Sequence, residues 1–356
     1  MKSWLLLSLL LLAANMLQQC CVNGQAQVPG VFVFGGTLSD HGNNNNLRTS
    51  VKSNYMPYGI DFSRGSTGRF SNGKTQVDII AEFLRLNTSI PPYANTTGSD
   101  ILKGVTYASG SAGIRDETGR HLGNNINFRR QIANHRYIIL RILSQIGYNR
   151  TRQHLRQCLY YVHIGNNDYI YNYYLPQVYP RSRFFNTEQF AQDLINRYSR
   201  YIQVLRSLGA RKFVFFSPGR IGCTPYALSM RRTNGSCVEE MNAATSIFTG
   251  KLRSLVDRLN NNFGDDSRFM FVNNSARNLG VVATGGFTVT NASCCPTGTD
   301  LLCDPNQTPC QNRNQYVFWD KFVFTEAFNR FLALLAYNGS NRDFVYPVNI
   351  STLVQS

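Results

Sequence analysis

The chain has 356 residues, of which 43% are hydrophobic and 16% charged, and its 36 basic against 20 acidic side chains give a net charge of +16. Such a composition can bury a sizeable core and excludes bulk disorder, a collagen repeat and a disulfide mini-scaffold. The 29 arginines are scattered from Arg48 to Arg342 in nothing longer than doublets such as Arg129-Arg130. That scatter argues against a nucleic-acid-binding module, and the net charge leaves two readings open: a basic surface that attracts acidic polysaccharide or anionic lipid, and a solvated basic surface with no partner.

Lys2 supplies a positive start, an apolar run over residues 4–14 is interrupted only by Ser8, and Val22-Asn23-Gly24 offers small residues to a signal peptidase. The run is too short to span a bilayer, and no later stretch reaches the roughly 18 apolar residues of a membrane helix. A cleaved signal peptide over 1–24 and one secreted domain over 25–356 are expected. Strand-like and helix-like segments then alternate. Residues 31–34 are an apolar run of β-formers ending in Gly35-Gly36. Helical spacing over 74–86 puts Val77, Ile80, Ala81 and Leu84 on one face. A second strand is predicted at 105–108, followed by a turn of small residues, and a helix at 126–146. Residues 159–164 form a third strand, closed by Gly165. A long amphipathic helix at 188–208, a strand at 212–216, a helix at 237–263, a strand at 269–272 and a last helix at 325–337 complete the set. Apolar strands separated by helices predict a mostly parallel sheet covered on both sides, with sites at the carboxyl ends of its strands.

Cys20 and Cys21 leave with the signal segment, and seven cysteines remain. Four lie in a polar stretch, 294–310, without the paired spacing or nearby His of a zinc site. Disulfides are expected instead: Cys223 with Cys237, and pairs within 294–310, with Cys158 left as a buried free thiol. Nine Asn-x-Ser/Thr sequons, at Asn87, Asn95, Asn149, Asn234, Asn273, Asn291, Asn306, Asn338 and Asn349, are candidate glycan sites in a secreted chain.

Five blocks carry a family likeness. Phe32-Val33-Phe34-Gly35-Gly36-Thr37-Leu38-Ser39-Asp40, followed by Gly42-Asn43-Asn44-Asn45, resembles the first block of the plant GDSL esterase/lipases, which belong to the SGNH hydrolases. Thr67-Gly68-Arg69-Phe70-Ser71-Asn72-Gly73 is similar to the second block and Gly165-Asn166-Asn167-Asp168-Tyr169 to the third. Gly222-Cys223-Thr224-Pro225 follows the pattern, and Trp319-Asp320-Lys321-Phe322 begins the last block. The likeness runs from Val31 to the C-terminus in the family's order. It implies a three-layer α/β/α fold and hydrolysis of carboxylic esters, lipids included, through an acyl-enzyme, with no cofactor and no metal. It also implies action outside the cell; the expected location is the apoplast or cell wall, where the basic surface, rather than the likeness, suggests acidic cell-wall polysaccharide as a further partner.

The family chemistry places a nucleophile after the first strand, a His near the C-terminus as its base and an Asp three residues earlier to orient that base. Oxyanion donors are the nucleophile's own N–H, a Gly N–H and an Asn side chain. Carried over residue by residue, Gly73 matches the Gly donor, Asn167 the Asn donor and Asp320 the orienting acid. Thr37 stands at the nucleophile position in place of Ser, with Gly36 before it in place of Asp. Val323 stands at the base position in place of His, and Phe324 follows in place of Pro. Threonine keeps a hydroxyl, whereas valine cannot bind a proton. Two readings follow: an impaired or inactive family member that binds lipid, glycan or protein, and an active hydrolase whose base has moved to His41 or His163, the histidines close to these blocks.

Overall fold

The structure, a computed structural model, describes residues 24–86, 89–275, 284–298 and 301–355. The expected signal segment, apart from Gly24, and the sequon at Asn87 lie outside the described residues. In chain order the principal elements are β1 (Val31–Gly35), α1 (Gln76–Phe83), β2 (Gly104–Thr106), α2 (Phe128–Ile146), α3 (Tyr148–Gln157), β3 (Leu159–His163), α4 (Thr187–Ser207), β4 (Lys212–Phe216), α5 (Pro225–Arg231), α6 (Glu239–Phe263), β5 (Arg268–Val272), β6 (Val289–Ser293), β7 (Tyr316–Phe318), α7 (Glu326–Asn338), β8 (Val345–Tyr346) and α8 (Ile350–Gln355).

The main sheet runs β2-β1-β3-β4-β5-β8 among the described residues, parallel except for β8, which pairs antiparallel to β5. Alternation along each strand sends side chains to opposite faces. Phe32, Phe34, Tyr160, Val162, Phe213 and Phe215 join the core under α2, α4 and α6. Val31, Val33, Tyr161, Val214, Phe216 and Met270 join the other, under α1, α7 and α8. Both faces are therefore apolar, as a three-layer α/β/α domain requires.

The helices start where capping residues stand. Thr75 accepts from the Asp78 N–H while Asp78 reaches back to Thr75, and Asn186 does the same with Gln189. Asn127 caps α2, which ends at Gly147 with φ +77°, a conformation that favours glycine. The expected elements form, with ends shifted by a few residues. Six of these elements go beyond the sequence reading: α3, α5, β6, β7, β8 and α8. Helix α3 was hidden because its ten residues are mostly polar, and only Thr151 and Leu155 are buried. Strand β8 is two residues long, and β6 and β7 pair in parallel across the cysteine-rich excursion.

Disulfides join Cys223–Cys237, Cys294–Cys310 and Cys295–Cys303, and Cys158 is buried and free. No helix among the described residues is long and apolar enough to cross a membrane.

One buried histidine gives the fold an acid-sensitive point. His135 packs against Phe32, Phe34, Tyr107 and Tyr160. Its Nδ1 meets the Tyr107 hydroxyl at 2.9 Å, and its Nε2 has no partner among the described residues. Burial pushes its pKa down to about 3. Above pH 6.5 the ring is neutral in both folded and unfolded chains. As pH falls from 6.5 toward 3, only the unfolded chain takes up the proton, so stability is lost. The expected loss from this group between pH 7 and pH 5 is about 2 kcal/mol. Urea unfolding at both pH values should therefore show a flatter pH response for His135→Phe than for the parent.

Candidate active site

From β1 the chain builds β2 on one side, while β3 pairs on the other. The crevice beyond β1 and β3 is thus the switch point where parallel sheets place their ligands. Gly35 pairs with His163, and the Gly36 N–H donates to the His163 carbonyl at 3.2 Å. Thr37 opens a short 3-10 turn just after β1, and Asn167 lies in the helical turn just after β3.

The Thr37 Oγ1 receives two donors, the Ser111 N–H at 3.1 Å and the Asn167 Nδ2 at 3.4 Å. Asn167 is aimed by a second bond, from Nδ2 to the Ala112 carbonyl at 2.8 Å. The loop supplying Ser111 and Ala112 is held by two buried carboxylates. Asp168 accepts from the Ile114 and Arg115 N–H groups at 2.8 and 3.0 Å, and Asp40 from the Gly110 N–H at 2.9 Å. Burial raises both acids to about 6, against the pull of these backbone donors. Ser111 has φ +62°, a left-handed conformation outside glycine that this clamping sustains. A Cβ added at Gly36 would lie 2.8 Å from the Asn167 Nδ2, so a larger residue there needs that side chain to shift.

Thr37 and Asn167 line a cavity of about 540 Å³, together with His163, a size suited to a small-molecule ligand. Its walls are largely apolar, with Leu38, Ile170, Leu228, Phe318, Phe322 and Phe328 among them. Val323 lines the same cavity although it is only 1% exposed. Gly73 does not line it. Its N–H faces the Ser71 Oγ at 3.4 Å, and a Cβ added to it would run into the Glu326 carboxylate.

Asp320 is fully buried. Its Oδ1 accepts from the Phe322 and Val323 N–H groups at 2.7 and 2.8 Å, and its Oδ2 from the Tyr58 hydroxyl at 2.5 Å. Burial raises its pKa, opposed by these donors, while burial and the Asp320 charge raise Tyr58 far above the phenol range. Tyr58 therefore keeps its proton and donates it to the carboxylate.

Of the two histidines near the blocks, His41 sits elsewhere. Its ring contacts the Ile90 carbonyl and the Arg69 guanidinium through Nδ1 and the Thr75 hydroxyl through Nε2. Burial, then the Arg69 charge, push it down to about 4. His163 faces the cavity, its Nδ1 3.3 Å from the Tyr161 hydroxyl and its Nε2 3.4 Å from the Asn274 amide.

The sequence comparisons give the same family as the motifs. The profile described as GDSL-like Lipase/Acylhydrolase matches residues 31–336. GDSL esterase/lipase At1g29670 of Arabidopsis thaliana is 48% identical, with 93% of each chain covered. GDSL esterase/lipase At1g29660 of the same plant is 44% identical over 94% of this chain and 93% of its own. The chain belongs to the GDSL lipase/acylhydrolase family.

That family is one of ester hydrolases. Within this GDSL chain the residues that shape the site beyond the motifs are Ser111, Ala112 and Tyr58. The small-residue turn 109–113 signalled only a tight approach, and nothing in it says that the Ser111 N–H aims at residue 37. Tyr58 carried no signal, because it meets Asp320 across 262 positions of sequence.

Proposed function

We propose that this chain binds an acyl ester or lipid in the cavity beside Thr37 and hydrolyses it very slowly or not at all. The observation that carries the reading is at the position three residues after Asp320. Val323 offers the cavity a hydrocarbon wall, and the Asp320 oxygens that would orient a base are taken by Tyr58 and two backbone N–H groups. Around Thr37 there are donors but, among the described residues, no bonded base. Its oxygen accepts from Ser111 and Asn167, which leaves a neutral alcohol, a poor nucleophile at its free pKa. The apolar walls suit a hydrocarbon chain, and the Thr37 and Asn167 end suits an ester carbonyl.

One observation favours a second reading. His163 lines the cavity with Thr37, so an imidazole reaching Thr37 through a rearranged side chain or one water would make a weak hydrolase.

Secretion is part of the proposal. Three disulfides support it, as do the exposed sequons Asn234 and Asn291.

The test uses protein recovered from the medium of plant cells, expected to start near Gln25 and to carry glycans. The chain has two tryptophans, at positions 4 and 319, so the mature protein reports through Trp319, which is packed in the same cluster as Val323. Titration with a long-chain fatty-acyl ether, which resembles the ester but cannot be cleaved, should change Trp319 emission saturably. Leu228→Arg should abolish the change. No saturable response, or one untouched by Leu228→Arg, contradicts acyl binding in this cavity.

A further inference from the structure

The fifty residues from Thr118 to Asn167 contain no Asp, Glu or Lys, and eight Arg. They build α2, α3 and β3. Helix α2 buries Phe128, Ile132, His135, Ile138 and Ile142 against the sheet, and its opposite arc is solvent-facing. That arc holds Arg129, Arg130, Arg136, Tyr137 and Leu140, positions that fall within about a third of a turn at 100° per residue. Exposed Tyr148, Arg150 and Arg152 follow directly in α3. Arg129 pairs with Asp116 and Arg156 with Asp266. Arg130, Arg136, Arg150 and Arg152 have no carboxylate partner among the described residues.

Two features set this surface apart from a merely solvated basic face. Its cations are all arginine, whose planar fork matches carboxylate oxygens two at a time, whereas lysine would serve as a point charge. It also exposes rings that a lone soluble surface gains little from showing: Tyr137 is 55% and Tyr148 68% exposed, with Leu140 at 62%. A tyrosine face covers the flat C–H side of a pyranose ring while leaving its hydroxyl in water.

We propose that the outward face of α2 and the start of α3 bind a carboxylate-bearing polysaccharide, with the arginines pairing to uronate carboxylates and the tyrosines stacking on the sugar rings. The surface holds the protein on a polyanion while the cavity beyond β1 and β3 stays separate from it. It goes beyond the acyl-binding reading and does not depend on it.

The experiment is affinity electrophoresis of the whole mature protein through gels containing polygalacturonate, at 50 and 200 mM salt, with neutral dextran as the blank. Arg130, Arg136 and Arg152 are changed together to Gln. A second variant changes Arg231, Arg232 and Arg342, also exposed, and so carries the same net charge. Retardation by polygalacturonate and not by dextran, lost at least about tenfold in the first variant and much less in the second, is the expected result. Retardation should also weaken steeply at the higher salt. Equal losses in the two variants would mean that net charge alone acts, and would overturn the proposal. So would retention on phosphatidylserine-containing vesicles with none on polygalacturonate, which would make the surface a lipid-docking face. Matching thermal unfolding of the three proteins keeps folding out of the comparison.

Discussion

Changing Thr37→Ser and Val323→His together should raise ester turnover by about 10²–10³ over the parent. Loss of a triad member costs on the order of 10⁴ to 10⁶ in rate, and nucleophile and base act as a unit. Each single change should therefore yield far less than the pair. Serine alone remains an unactivated alcohol. The turn that would present the new imidazole is already built: the Val323 N–H is held by Asp320 at 2.8 Å, and its carbonyl accepts from the Trp319 N–H at 2.8 Å. Phe324, in place of the family's Pro, is fixed between Phe318 and Phe328, with ring centroids 5.6 and 5.1 Å away. A larger ring at a buried site commonly costs 1–3 kcal/mol by overpacking. Here it can extend into the cavity that Val323 lines. Rescue stays partial because Tyr58 occupies the Asp320 Oδ2. Adding Tyr58→Phe should free that oxygen for the imidazole and raise the rate again. Hydrolysis of p-nitrophenyl butyrate by the purified variants is the readout. A folded double variant no faster than its parent would show that the 320–323 turn does not aim residue 323 at Thr37.

The second large effect is structural and lies next to the site, in the network that occupies His41. Arg69 donates to both oxygens of Asp78, Nε to Oδ2 and Nη2 to Oδ1, at 2.9 Å each, and both side chains are almost fully buried. Thr75 and Ser89 complete the carboxylate's partners. Asp78→Ala leaves the Arg69 cation buried without its counter-ion and removes the capping box of α1, and should cost about 3–5 kcal/mol. Replacing both, as Arg69→Met with Asp78→Leu, should cost less than Asp78→Ala alone. Burial works against the charged form of Asp78, yet His41 and Arg69 beside it hold its pKa far below the carboxylate range. Its stabilisation is complete above about pH 4 and is lost as pH falls through the folded pKa. His41, pushed down to about 4, adds a loss of the same sign between pH 6.5 and 4. Chemical denaturation at pH 7 and at pH 4.5 measures the His41 loss, and a further point at pH 3 adds the onset of the Asp78 loss. A loss below about 1 kcal/mol for Asp78→Ala would contradict the buried-pair account.

The sheet was legible because its strands alternate between two buried faces, and Phe32 and Val33 need opposite cores. Thr37 and Asn167 were legible because each follows a strand end directly, so a topological rule places them together. What stayed hidden depends on contacts distant in sequence. Tyr58 reaching Asp320 is one case, and the pairing of Asp168 with Ile114 and Arg115 is another. The closeness of His41 to Thr37 in sequence was misleading. The chain leaves the turn at Asp40, whose carboxylate caps the Gly42 and Asn43 N–H groups at 2.8 Å. His41 then points into the Arg69–Asp78 network. Gly73 reads as an oxyanion donor from its block, yet its N–H is directed at Ser71 and its Cα faces Glu326. A motif fixes which residues are present and leaves their aim to the packing around them.

The most direct measurement of the central claim is steady-state turnover of p-nitrophenyl butyrate by the unmodified mature protein, run beside Thr37→Ala and His163→Ala. Release of p-nitrophenol at the rate of buffer, unchanged by either substitution, is the expected result. Turnover at ordinary esterase rates that disappears in both variants would contradict it, and would make His163 the base acting on Thr37.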